Sequence, residues 1–362
     1  MKLPTAKAAA LARAAAHGHH PTQGNNDPNH VALRELCARR DRGDILPAAE
    51  QPLDLSGVRF VEVDFSGLDL SGIDFSNAEL LSCNFAGARL VGANLTNALL
   101  HNVNLTDVEL LGSTISGADF TNGVLDRAGF GQAVGVGALF FGAKCTGTTF
   151  TGADLTGSDF RAAKLEQARM LGANLTDSVF ASAMLADVDL TGAALANSTF
   201  RDADMRGAQL RNVTGYTSAD WINADIQNVD FTGAWLVRRH IQDENYIHEF
   251  RTQSPTHERL YKLWSITSDC GRSLSRWSLW TVLVAMIYAG LYTQVDIDWG
   301  DYETPISPIY YSVVTFTTLG YGDVLPGSTG AQMLAMSEVI FGYFSLGGMM
   351  SILSDKMARR AG

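Results

Sequence analysis

No proline interrupts the chain between Pro52 and Pro255, no lysine or arginine occurs between Arg276 and Lys356, and the four cysteines stand far apart. Each absence excludes something. A stretch without proline can donate a backbone N–H at every residue, as a continuous hydrogen-bonded stack requires. Cys37, Cys83, Cys145 and Cys270 form no CxxC pair, which argues against a zinc site or a disulfide framework. The longest apolar run of the first fifty residues, AAALARAAA, is broken by an arginine and is too weakly hydrophobic for a secretory signal. Residues 1–50 therefore read as an N-terminal tail with one short capping helix around Leu33 and Leu36. His17, His19 and His20 are of metal-ligating type, but in so loose a segment they read as a solvated tail.

What is present is a period of five. From Leu55 to Leu210 every fifth residue is Leu, Ile, Phe or Met, except Gly135 and Cys145. The residue two before is usually small, as at Ala88, Ala118 and Ala173, and the one between is often Asp or Asn, as in GADL and GANL. The frame slips by one after Leu210 and resumes with Trp221, Ile226, Phe231 and Leu236. Five matches neither a helix at 3.6 residues nor a strand at two. It suits a solenoid whose stacked coils share a narrow core that no single repeat could bury. Cys83 and Cys145 fall on inward positions, where they serve as small apolar residues. The stretch GFGQAVGVGALFFGAKC (129–145) fits the frame weakly and reads as a distorted coil or bulged loop.

The pattern A(D/N)Lxx over residues 51–236 resembles the pentapeptide-repeat family. That resemblance implies a right-handed quadrilateral β-helix with four pentapeptides per turn. It would comprise about nine coils and a rod of about 40–45 Å at strand spacing. Residues 51–236 carry 21 acids and 10 bases, a balance of −11 that equals the net charge of the whole chain. Some family members are acidic rods that imitate DNA; the plainer reading is that Asp and Asn solvate the outer faces. The acids recur at every turn and do not converge on a pocket, so nothing here reads as an enzyme, and no nucleic acid is expected as a partner.

Residues 237–275 read as a helical linker and interfacial helix, with Ser254 as cap and Pro255 in the first turn. WSLWTVLVAMIYAGLYT (277–293) and GAQMLAMSEVIFGYFSLGGMMSIL (330–353) are long enough to cross a bilayer. Arg272 and Arg276 precede the first; Lys356, Arg359 and Arg360 follow the second. Between them lie Asp296, Asp298, Asp301, Glu303 and Asp323 and no base. By the positive-inside rule the loop is outside, and both termini, with the solenoid, are cytoplasmic.

The loop contains SPIYYSVVTFTTLGYGD. Pro308–Thr317 can form a short helix with Ser307 as its cap. It is too short to span, and non-helical backbone behind it is tolerated at membrane depth only where buried in protein or lining water. Gly320 and Gly322 allow backbone angles closed to other residues. Residues 276–356 resemble the pore of two-transmembrane bacterial potassium channels, whose filter loops replace the hydration shell of K⁺ with rings of carbonyls. The resemblance implies a homotetramer in the bacterial cytoplasmic membrane. K⁺ would be coordinated by Thr318, Leu319, Gly320 and Tyr321, with Gly322 completing the filter. Thr317, Asp323, Tyr310 and Tyr311 would support it, Tyr321 packing outward against the two tyrosines. Leu319 stands where the commonest filter has Val, and Val314 where the family's pore helix has a carboxylate.

Gly342 falls at the family's hinge position, and Gly347 and Gly348 lie nearer the inner mouth; hinge and close packing are both open for them. Glu338 is an ionisable group inside the membrane and so a functional candidate; hydrogen bonding to a pore-helix group while protonated is the other reading. Residues 357–362 are a short cytoplasmic tail. The leading expectation is a K⁺-selective channel with no cofactor, gated at the second crossing, with an unidentified cytoplasmic ligand or protein acting on the solenoid. The alternative is a membrane-tethered acidic scaffold that binds a basic or DNA-associated protein beside a vestigial pore.

Overall fold

The computed structural model describes residue 38, residues 53–300 and residues 303–361. The N-terminal tail histidines lie outside the described residues. The chain divides into two compact units, residues 1–245 and 246–362.

In the first unit, parallel bridges join one residue of a pentapeptide to the residue twenty further on, from Asp54↔Asp74 to Ala194↔Thr214. Twenty residues are four pentapeptides, so every coil is closed by four ladders. Two rungs extend into short paired strands, β1 (Arg59–Val61) and β2 (Glu79–Leu81). The frame residue donates its N–H up the stack (Phe75 to Asn94, 2.7 Å), and the residue before it donates down (Asp74 to Leu53, 2.8 Å). Corners recur because the second residue after the frame adopts positive φ, as at Gly57 (65°) and Asn77 (57°). Gly, Asn and Asp pay little for that region, which explains their place in the repeat.

The Asp/Asn position also has a structural duty. Its side-chain oxygen accepts the N–H two residues on: Asp54 from Ser56, Asp74 from Ser76, Asn94 from Thr96 and Asp154 from Thr156. Side chains in successive coils then form ladders, such as Asn104 to Asn84 at 2.9 Å. These are turn-closing bonds of the kind Asx residues favour, so many of the solenoid's acids are accounted for by the fold. Several of the rest are paired with arginines one coil away, among them Arg127 with Asp107 and Arg59 with Glu79.

The core is one continuous column of buried frame and small residues from Leu53 to Ile241. Phe120, Phe140, Phe160, Phe180, Phe200 and Trp221 stack nearly parallel along it, with ring centroids 4.6–5.0 Å apart. Cys83 and Cys145 are buried on the frame as expected, and burial pushes the Cys83 thiol up to about 12, so it is chemically quiet.

The expected distortion at 129–145 is corrected: Gly129, Val134, Leu139 and Lys144 all keep their bridges on both sides. The frame tolerates Gly135 because Ile115 and Leu155 fill the space from the neighbouring coils; a Cβ there would lie 2.9–3.0 Å from both. The one-residue slip is real and is absorbed locally. A 3₁₀ turn at Tyr216–Ser218 follows Gly215 (φ 71°), and the bridge spacing changes to 21 residues at Thr199↔Asp220. A Cβ on Gly215 would meet the Ala196 nitrogen at 2.6 Å. The last coil is closed by the start of α1 (Trp235–Thr252), whose Val237 and Ile241 are buried in the solenoid core. The Asn245 side chain donates to Trp221 O and accepts from Asn223 N–H.

The second unit is helical. α2 (Pro255–Ser268) starts as the sequence indicates, Ser254 Oγ accepting the His257 N–H. α3 (Leu274–Tyr292) and α5 (Thr329–Ala361) flank α4 (Ser307–Phe316). A two-rung antiparallel pair, β3 (Ile297–Asp298) with β4 (Leu325–Pro326), ties the segments before and after α4. α3 and residues Thr329–Ser354 of α5 are each long and apolar enough to cross a membrane. The expectation that Ser307 caps α4 is corrected: Ile306 occupies the cap, and Ser307 Oγ accepts the Thr304 N–H at 2.9 Å.

Candidate functional site

α4 ends at Phe316, and the chain leaves it by two backbone bonds, Thr318 N–H to Thr315 O and Leu319 N–H to Val314 O, both 3.0 Å. From there the sign of φ is positive at every second residue: Thr318 (59°), Gly320 (51°) and Gly322 (76°). A backbone whose φ alternates in sign can bring successive N–H groups to one side and carbonyls to the other. Among the described residues, no backbone donor reaches the carbonyls of residues 318–322. Sequence inspection anticipates positive φ at the two glycines; at Thr318 nothing in the residue type signals it, because the strain is imposed by the α4 exit.

The supporting residues are distributed as follows. The Tyr310 hydroxyl donates to Asp323 at 2.6 Å, fixing the acid just beyond the loop to the first turn of α4. Tyr311 is buried and packs edge-on to Tyr292 and Trp299. Among the described residues no ring contact joins Tyr321 to either tyrosine; Tyr321 is 67% exposed and Leu319 57%. Thr317 Oγ1 returns to Val313 O at 2.6 Å, so it closes the helix end. Gly300 (φ 64°) lies beneath the loop exit, where a Cβ would sit 2.6 Å from Asp323 O, a contact that the residue pattern did not disclose.

On α5, Gly342 is the point of closest approach to α4: a Cβ would lie 2.1 Å from Phe316 O. Gly348 is covered by the Trp277 indole, which leaves no room for a Cβ there, and that indole donates to Ser345 O at 2.8 Å. Only Gly347 of the three has open space around it. Glu338 is fully buried, its carboxyl between Tyr292 of α3 and Ser312 of α4. Among the described residues no cluster of His, Cys, Asp or Glu is arranged to hold a metal ion.

Family models match both units. Residues 53–80, 83–122 and 125–157 match pentapeptide repeats, residues 143–218 a pentapeptide repeat region, and residues 262–359 an ion channel. The chain carries a pentapeptide-repeat domain and an ion-channel domain. The chain is 33% identical over 55 residues to two-pore potassium channel 1 of Arabidopsis thaliana and 36% identical over the same length to two pore potassium channel b of Oryza sativa subsp. japonica. Each match spans 15% of this chain and 15% or 16% of the relative. The pentapeptide-repeat domain is similar to HetL of Nostoc sp. strain PCC 7120, at 22% identity over 55% of this chain and 94% of that one, with a TM-score of 0.33. It is also similar to Rfr23 of Cyanothece 51142, at 26% identity over 24% of this chain and 58% of that one, with a TM-score of 0.23.

Proposed function

We propose that the protein is a K⁺-selective channel of a bacterial cytoplasmic membrane, built as a homotetramer. In it α4 is a re-entrant pore helix, and Thr318, Leu319, Gly320, Tyr321 and Gly322 form one quarter of the filter. The observation that carries this reading is the run of carbonyls that no backbone donor among the described residues reaches, on a backbone whose φ is positive at every second residue, between two helices able to cross a membrane. Unpaired carbonyls at membrane depth cost several kcal/mol each unless an ion or water meets them. Four copies around an axis would convert that cost into stacked oxygen cages for a dehydrated cation. The potassium-channel relatives point to the same cation.

In this reading both termini are cytoplasmic, because the basic residues flank the crossings and the acids lie between them. The pentapeptide-repeat domain, a right-handed quadrilateral β-helix by family resemblance, then serves regulation or assembly from the cytoplasm, and α5 carries the gate. The purified full chain in liposomes is expected to pass K⁺ in preference to Na⁺, and Tyr321→Ala to lose that preference. Equal flux of both ions through the unaltered protein would overturn the reading. Deleting residues 1–236 is expected to change open probability or tetramer yield; no change in either would remove the regulatory role.

A further inference from the structure

Glu338 sits in the third turn of α5 with no base anywhere between Arg276 and Lys356 to neutralise it. Its relative exposure is 0%. The titratable side chains nearest it among the described residues are tyrosines: Tyr292 of α3, against which Tyr288 packs, and Tyr311 of α4, edge-on to Tyr292 at 4.7 Å. The Tyr292 hydroxyl donates to Glu338 Oε2 at 2.6 Å. Oε1 meets Ser312 Oγ, and the same Oγ lies 2.8 Å from the Ala285 carbonyl of α3.

A proton count resolves this arrangement. Ser312 has one hydroxyl hydrogen, and the Ala285 oxygen can only accept. If serine donated to an ionised Glu338, its oxygen would face the Ala285 carbonyl with no hydrogen between them. If serine donates to Ala285, the hydrogen between Oγ and Oε1 must come from the carboxyl. Every contact is then satisfied, and no charge is buried without a partner, which is the costly alternative.

We propose that Glu338 is held as a neutral carboxylic acid that clasps α3, α4 and α5 together and acts as a positioning residue for the loop that follows α4. The consequence for ion selection rests on the channel reading; the chemistry of the clasp does not. Ser312 is four residues before Phe316, so a shift of α4 there is transmitted to Thr318 and the carbonyls beyond it. Gly342, one turn further along α5 than Glu338, holds the other end of the same contact against Phe316 O. The helix is thus fixed at its middle by hydrogen bonds and at its end by close packing.

Two measurements on the full-length protein test the proposal. In infrared difference spectra against Glu338→Gln, the unaltered protein at neutral pH should show the carbonyl stretch of a protonated carboxylic acid. A carboxylate signature in its place would overturn the clasp. In liposomes, Glu338→Gln, which keeps a neutral group of the same shape, should retain K⁺ over Na⁺ selectivity. Glu338→Leu should lower it about tenfold, because it leaves buried partners unpaired. Ser312→Ala should fall between the two. Selectivity of Glu338→Leu and Ser312→Ala equal to the unaltered protein would overturn the positioning role. Should Glu338→Leu fail to assemble, Ser312→Ala decides that arm. Should the unaltered protein conduct neither ion, the channel reading fails while the spectrum still tests the clasp.

Discussion

Gly342→Val is expected to abolish K⁺ flux and to disrupt assembly of the ion-channel domain. The first atom of any side chain at 342 would fall 2.1 Å from the Phe316 carbonyl oxygen. That oxygen belongs to the last turn of α4, so it cannot rotate away as a flexible side chain would. Either α5 moves outward or the end of α4 is pushed from its seat, and the loop beginning at Thr317 moves with it. Overpacking a close contact typically costs about 1–3 kcal/mol, and here the strain falls directly on the segment proposed to select ions. Alanine should already impair flux, which separates this role from that of a hinge. A hinge glycine replaced by alanine would assemble normally and change only opening. Ion flux, together with tetramer yield in detergent, checks the prediction; wild-type flux and yield in Gly342→Ala would refute it. Gly347→Ala, in open space on the same helix, is the control.

Phe160→Ala is expected to destabilise the pentapeptide-repeat domain by about 3–5 kcal/mol, the usual range for removing a buried phenylalanine. Its ring lies parallel to Phe140 at 4.6 Å and to Phe180 at 4.9 Å, and edge-on to Phe150 at 5.8 Å. The coils above and below are held by backbone ladders at fixed spacing, so they cannot collapse into the cavity. Because each coil touches only its neighbours, the loss should be local. The domain is then expected to unfold in two steps about the lesion, where the unaltered domain unfolds in one. Urea unfolding followed by far-ultraviolet circular dichroism reads both effects. Val136→Ser, on the outer face of the coil before, should leave the midpoint nearly unchanged; a comparable loss in both variants would contradict the buried ring stack as the main source of stability.

The five-residue frame was legible because a solenoid repeats one local environment. Leu155 and Phe160 report the same inward position as every other frame residue, and the pattern averages over single exceptions. Gly135 was misread for the same reason: alone it breaks the pattern, while the room it leaves is filled by Ile115 and Leu155, twenty residues away on either side. The Asp/Asn position was visible as a preference but not as a cause. Only the turn geometry shows Asp74 and Asn94 closing turns through the N–H two residues on, which weakens the reading of this domain as a free acidic surface.

In the helical unit, the two long apolar helices, the charge asymmetry and the glycines of TLGYG were all determined by the sequence, since length, hydropathy and permitted backbone angles are properties of local residues. What only the tertiary structure decided is which groups meet across helices. Tyr310 reaches Asp323, Gly342 touches Phe316, and Glu338 lies between Tyr292 and Ser312. These pairs are separated by 13 to 46 residues in the chain, and no periodicity encodes them. They follow from how three helices cross, which is fixed by side-chain volume and by the requirement that buried polar groups find partners.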